Sequence, residues 1–251
     1  MAKNISIANQ KGGVGKTTTA INLASYLSEM DYTVLLVDID PQSHATIGMN
    51  LSKNRAYTIY ELLVENKKID SSYIVNSSGL DILPSSTELA TLDLQISDKI
   101  GKEKYLEEAL KNAQDEYDYI IIDCPPALGI LTINALVASD YVLIPVGTSR
   151  FDIDGLAELN KTIKTIQDKV NSNLEILGLL LTLYDGRTNI AKQVKAGIKK
   201  RYPDKLFNTT INLNVDLKEA QGEGIPINEY NKSSSGAKAY KDLAREVVER
   251  V

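Results

Sequence analysis

The residues best suited to chemistry are Gly12, Gly13, Gly15, Lys16 and Thr17, within Asn9-Gln10-Lys11-Gly12-Gly13-Val14-Gly15-Lys16-Thr17-Thr18-Thr19. Three glycines without Cβ atoms let a backbone turn tightly and aim successive N–H groups at one anion. Lys16 adds an ammonium for the β and γ phosphates of a nucleotide, and Thr17 adds a hydroxyl for a Mg²⁺ ion. A helix starting near Thr17 brings the positive end of its dipole to the same place. The ligand implied is a nucleoside triphosphate. Carboxylates able to complete such a site occur twice more, in Asp38-Ile39-Asp40-Pro41-Gln42 and at Asp123 in Ile120-Ile121-Ile122-Asp123-Cys124-Pro125-Pro126.

The elements that must position these groups follow from the apolar pattern. An apolar run at 5–8 feeds the glycine loop, and a helix-like run at 20–27 leaves it. Residues 33–38 form an unbroken β-branched and leucine run, which reads as a strand buried on both faces, as parallel sheets require. Its carboxylates stand at the C-terminal end, where open α/β sheets gather ligands. Residues 117–126 carry three isoleucines of a central strand, ended by a proline pair that cannot continue the ladder.

Further strands are predicted at 80–84, 140–146 and 174–184. Helices are predicted at 58–66, 129–136, 152–170 and 236–251, and two more within 85–112, broken at Gly101. The 152–170 helix carries the apolar stripe Ile153, Leu156, Leu159, Ile163 and Ile166. This alternation specifies an α/β fold: a doubly wound, mostly parallel sheet of the P-loop nucleotide-binding type, with helices on both faces, read as one domain over 1–251.

Bulk properties narrow the function. At 251 residues and 43% hydrophobic, the chain can bury a large core. The net charge of −5 announces no general nucleic-acid binder, so any DNA contact must come from a local patch. The single cysteine, Cys124, excludes a disulfide within one chain and an iron–sulfur cluster, and is read as a small buried side chain. No signal-peptide pattern opens the chain and no apolar run approaches the roughly 20 residues of a membrane span, so the chain is read as soluble and cytoplasmic.

The strict phosphate-loop pattern needs glycine where Gln10 stands. The string Lys11-Gly12-Gly13-Val14-Gly15-Lys16-Thr17 instead resembles the deviant Walker A motif of the ParA/MinD ATPase superfamily. Over essentially its whole length the chain is similar to ParA proteins of the chromosomal Soj type. The resemblance implies a slow ATPase whose nucleotide is held by Lys11, Gly12, Gly13, Val14, Gly15, Lys16, Thr17 and Thr18. It implies Mg²⁺ held by Thr17, Asp38 and Asp123, and catalysis by Lys11, Lys16 and Asp40. Lys11 would reach across an ATP-dependent homodimer to the partner's ATP, and Asp40 would help position the attacking water. Nonspecific DNA, a ParB-type centromere-binding partner and a nucleoid-associated role in plasmid or chromosome partitioning are implied as well.

For DNA the candidates are Arg187, Lys192, Lys195, Lys199, Lys200 and Lys218. Lys192, Lys195 and Lys199 share one helix face, although a charge run equally fits a solvated surface. Relatives place an arginine where this chain has Asp216. That carboxylate would repel phosphate and shift the DNA surface toward 192–201 and Lys218, or weaken it. Relatives also read Pro-Gln-Gly-Asn-Ala-Thr where this chain has Pro41-Gln42-Ser43-His44-Ala45-Thr46. The only histidine therefore falls beside the site. Its ordinary pKa would suit a general base, but phosphoryl transfer rests on positioning and charge neutralisation, and His44 is read as a loop residue replacing asparagine.

Two alternatives share the fold. A MinD-like membrane ATPase should end in a basic amphipathic helix, whereas Ala244, Val247, Val248 and Val251 among mixed charges suit docking on the domain. A metabolic ATP-dependent ligase would use a small-molecule pocket.

Overall fold

One sheet is built from the strands β1 (Lys3–Ile7), β2 (Val34–Asp38), β3 (Val75–Ser77), β4 (Leu80–Leu83), β5 (Tyr119–Asp123), β6 (Tyr141–Val146), β7 (Glu175–Tyr184) and β8 (Leu206–Asn212). Their order is β3-β4-β2-β5-β1-β6-β7-β8, and every pairing is parallel except the short edge hairpin of β3 with β4. This computed structural model describes residues 1–148 and 151–251, with the side chains of 151–154, Ile153 of the predicted stripe among them, outside the described residues.

The helices are α1 (Lys16–Glu29), α2 (His44–Ile47), α3 (Ile59–Glu65), α4 (Leu92–Gln95), α5 (Tyr105–Ala109), α6 (Ile130–Val137), α7 (Phe151–Lys169), α8 (Asn189–Arg201), α9 (Val215–Glu223), α10 (Ile227–Tyr230) and α11 (Ser235–Arg250). Alternate strand residues feed two cores. Leu35, Val37, Ile120 and Ile122 pack with α3 to α8, while Val34, Leu36, Ile5 and Ile121 pack with α1, α2 and α9 to α11. All five residues of β2 and of β5 are buried. That double burial is the reason their sequences show no polar alternation.

The sequence reading has no element at β3, α2, α9 or α10, and His44, read as a loop residue, opens α2; two further stretches differ more. The two helices expected in 85–112 are instead a string of short pieces: α4, α5 and 3₁₀ turns at Thr87–Thr91, Lys102–Lys104 and Leu110–Asp115. Leu89, Leu92, Ile96, Leu106 and Leu110 each reach the core, so the chain follows the sheet turn by turn rather than along one axis. The break at Gly101 is observed, with φ of 73°.

The second is β8, whose Asn-Thr-Thr centre hides it among polar residues. It is an edge strand, and α11 covers its hydrogen-bonding groups. The N–H groups of Asn208 and Thr209 donate to the Glu246 carboxylate at 2.8 and 3.0 Å, and Arg250 donates to Glu246 and to the Leu206 carbonyl. Pairing an edge this way removes a template for unwanted strand addition. Tyr240, Leu243, Ala244 and Val247 of α11 are buried against the sheet. The closing helix therefore docks on its own domain, and among the described residues no helix is long and apolar enough to cross a membrane.

Candidate functional site

The loop between β1 and α1 takes the shape its glycines permit. Gly13 and Gly15 sit at φ of 72° and 81°, in the left-handed region that costs other residues roughly 1–2 kcal/mol. Neighbouring strands brace the turn. The Asn9 amide donates to the Pro145 carbonyl at 2.6 Å and accepts from the Lys11 N–H at 3.0 Å, while the Thr182 hydroxyl donates to the Val14 carbonyl at 2.8 Å. Lys16 folds back over the loop, with its Nζ donating to the Lys11 carbonyl at 3.0 Å. Only 7% of Lys16 is exposed, and burial lowers its pKa, with Asp123, Cys124 and Asp40 pulling the other way. The result is a cradle of backbone N–H groups with one buried ammonium at its foot, suited to a polyphosphate.

Beneath the loop, β2 and β5 run parallel in a register that sets Asp38 opposite Asp123. Both are wholly buried. Asp38 accepts from the Asp40 N–H at 3.0 Å, the Thr46 N–H at 2.8 Å and the Thr46 hydroxyl at 2.8 Å. Asp123 accepts from nothing: among the described residues no donor bonds either of its oxygens. Its carboxyl is pushed well above the ordinary range by burial and by Asp38; Thr17 lies near enough to hold it down somewhat, without a hydrogen bond of ordinary geometry. A buried carboxylate with four open lone-pair sites beside a threonine hydroxyl fits a Mg²⁺ ion, which binds one or two carboxylates and takes its other ligands from water and phosphate. Among the described residues no three His, Cys, Asp or Glu side chains cluster as an all-protein metal cage, so phosphate and water would have to supply the rest.

Above the loop lies a cavity of about 380 Å³. Gly12, Gly13, Gly15, Lys16, Thr17, Thr18 and Asp40 line it together. Val14, whose side chain is buried, and Lys11 are not part of the lining. Asp38 and Asp123, both wholly buried, are not part of the lining. His44 lines the cavity from α2, on the exposed side. Cys124 is buried with its thiol pKa raised by burial, as a structural cysteine would be.

Most of the rest of the lining comes from the C-terminal part of the chain. Thr182, Leu183, Leu213, Leu217 and Tyr240 supply an apolar side, with Asn212 and Asn214 at its rim. Leu183 sits at φ of 51°, an unusual position for a bulky residue, and its sequence carries no sign of it. The Tyr240 hydroxyl lies 3.2 Å from that of Thr19, tying the last helix to the first.

The proposed DNA residues divide. In α8, Ala191, Val194 and Ile198 face the core and leave Lys192, Lys199 and Lys200 exposed, with the Lys195 ammonium 5.5 Å from the centre of the Tyr184 ring. Arg187 donates twice, at 2.8 Å, to the Asp185 carboxylate. Lys218 stands apart from them. It lies on α9, on the other face of the sheet, where it lines the cavity instead of extending the α8 patch. Asp216 occupies the first turn of α9, where the helix dipole favours an acid, and accepts from the Asn231 amide at 3.2 Å.

Comparison with known proteins places these features in a family. A family described as an AAA domain matches residues 2–176. The chain is 45% identical over 250 residues to the sporulation initiation inhibitor protein Soj of Bacillus subtilis, covering 99% of each. It is 42% identical over 251 residues to the chromosome-partitioning ATPase Soj of Treponema pallidum, covering 100% of this chain and 98% of that one. Among solved structures, cobyrinic acid a,c-diamide synthase of Mycobacterium smegmatis with bound ATP analog and magnesium aligns with a TM-score of 0.87 at 31% identity, over 99% of this chain and 95% of that one.

Proposed function

The chain belongs to the family of Soj and ParA partitioning ATPases, and from that premise we propose that it hydrolyses ATP slowly as a Mg²⁺-dependent homodimer that carries DNA. In this reading the loop N–H groups and Lys16 hold the β and γ phosphates, and Asp40 orients the attacking water. Thr17 and Asp123, the latter through water, would hold Mg²⁺, which neutralises charge on the transferred phosphoryl group. Asp38 supports the metal site from behind, because three of its four lone-pair sites are already engaged. Lys11 would act on the partner's ATP in the closed dimer. The observation that carries the nucleotide reading is the bare, wholly buried carboxylate of Asp123 at the foot of the phosphate loop.

The DNA reading rests on the outward lysines of α8, with Arg187 at its entrance. One acidic chain offers a single basic helix, so pairing would double the phosphate contacts and make DNA binding depend on ATP. A ParB-type centromere-binding protein would stimulate turnover and release the DNA, and the complex would work in the cytoplasm on the nucleoid. The docked α11 speaks against the MinD-like membrane reading. The synthase structure gives the metabolic reading one observation, at lower identity than the partitioning relatives.

Electrophoretic shifts on unrelated duplexes, with and without ATP at several salt concentrations, test the proposal. Binding should require ATP, and log affinity should fall with log salt at about 0.9 per phosphate contacted. Lys195→Glu with Lys199→Glu should weaken binding to every sequence alike and flatten that slope, while nucleotide affinity stays the same. No ATP-dependent shift at low salt would remove DNA from the function and bring product analysis for a ligase forward.

A further inference from the structure

We propose that Thr46 and Ser85 are positioning residues for Asp40, acting with Asp38 through a closed ring of buried hydrogen bonds. The inference rests on the reading of Asp40 as the group that orients the attacking water.

Each link is short. The Thr46 hydroxyl donates to Asp38 Oδ2 at 2.8 Å and accepts from the Ser85 N–H at 2.9 Å. The Ser85 hydroxyl donates to the Asp40 carbonyl at 2.7 Å, and the Asp40 N–H donates to Asp38 Oδ1 at 3.0 Å, which closes the circuit. Asp38, Thr46 and Ser85 are 0% exposed and Asp40 6%. Three segments meet here: the end of β2, the short helix α2 and the loop after β4.

The ring grips the main chain on both sides of Asp40. Its N–H is fixed to Asp38, and its carbonyl accepts from Ser85 and from the Ser43 N–H at 2.8 Å. The carboxylate is then aimed by the Gln42 N–H, which donates to Oδ1 at 2.9 Å. Of these residues Asp40 and Gln42 line the cavity, while Asp38, Thr46 and Ser85 do not. Neither Thr46 nor Ser85 touches the cavity itself: Ser85 acts through the Asp40 carbonyl, and Thr46 through Ser85 and Asp38, whose carboxylate holds the Asp40 N–H. The segment they hold also needs holding, because Ser43 sits at φ of 56°, where a non-glycine residue is strained. A misplacement of roughly 1 Å in a reacting group is worth about 100-fold in rate, so a ring that fixes backbone on this scale sets catalysis without touching the nucleotide.

The test uses the full chain and compares single-turnover hydrolysis, affinity for a nonhydrolysable ATP analogue, and melting temperature. Ser85→Ala, which keeps the N–H bond to Thr46, should lower the hydrolysis rate about 10- to 100-fold with analogue affinity held within about twofold. Thr46→Val should do the same and Thr46→Ser should restore the rate. In an Asp40→Ala background, Ser85→Ala should cause no further loss, since both act through one group. A purely structural ring would give lower melting temperatures with normal turnover, or equal losses with and without Asp40; either result overturns the inference. Should Thr46→Val fail to fold, the Ser85→Ala measurements decide alone. Wild-type turnover in Asp40→Ala overturns the inference together with the reading beneath it. A dead Asp40→Ala beside a normal Ser85→Ala overturns the inference only.

Discussion

Asp38 and Asp123 end neighbouring strands, face each other in register and are both wholly buried, yet they differ completely in what they touch. Asp38 accepts three hydrogen bonds and Asp123 accepts none. Burial raises the pKa of both; for Asp38 the donors from Thr46 and Asp40 pull it back, whereas for Asp123 the nearby Asp38 pushes it higher still. A buried charge is tolerable when donors replace the lost water, and expensive when they do not. The first carboxylate is therefore already committed to the fold, holding α2 and the chain around Asp40. The second carries a desolvation cost that no hydrogen bond among the described residues offsets.

The contrast predicts substitutions of opposite sign. Asp123→Asn should show the largest effect, a loss of about 10²- to 10³-fold in Mg²⁺-dependent hydrolysis, because in the proposed reading it removes the carboxylate that holds the Mg²⁺. The same change should raise the melting temperature of the metal-free protein near pH 8. Lys16 loses an attractive neighbour in that variant, but its pull is the weakest of the influences on Asp123, and relief from desolvation is the largest. Asp38→Asn should instead destabilise the fold by about 1–3 kcal/mol, since whichever way the amide is turned its NH2 would confront a donor, the Asp40 N–H or the two of Thr46. Its nucleotide affinity should change little. Thermal melts in chelator, paired with hydrolysis assays, separate the two; destabilisation by both substitutions would mean that Asp123 is supported in the fold after all.

In the sequence these two aspartates look alike, each ending an apolar run that announces a doubly buried strand. The runs, the glycine loop and the helix after it were legible because each signal lies within a dozen consecutive residues. The donors that set Asp38 apart come from Thr46, eight residues on, and indirectly from Ser85, which reaches it only through the folded sheet. Thr182 and Tyr240 of the cavity lining stayed hidden for the same reason, since they come from β7 and α11, far apart in sequence, and β8 between them reads as polar loop. Lys218 counted with the α8 lysines in the sequence; in the fold it is exposed on α9, on the other face of the sheet, among the residues that line the cavity.

The smallest expected effect, and the finest test of the contrast, is in the pH dependence of stability without metal or nucleotide. The folded chain raises the pKa of the Asp123 carboxyl above its unfolded value near 4. Between those two values the folded state binds a proton that the unfolded state has released. Stability from this group is therefore gained as pH falls through the window and lost as pH rises toward and through the folded pKa, at no more than about 1.4 kcal/mol per unit. Asp38 contributes with the same sign over a narrower window, because its three donors favour the ionised form. In denaturant titrations in chelator from pH 8 down to pH 5, the advantage of Asp123→Asn over the wild type should shrink steadily as the wild-type carboxyl takes up its proton. Adding Mg²⁺ with an ATP analogue should flatten the wild-type dependence, since a bound cation holds the carboxylate ionised in the folded state. A gap between variant and wild type that stays constant across the range would show that Asp123 does not titrate there, and would reduce its difference from Asp38 to one of packing.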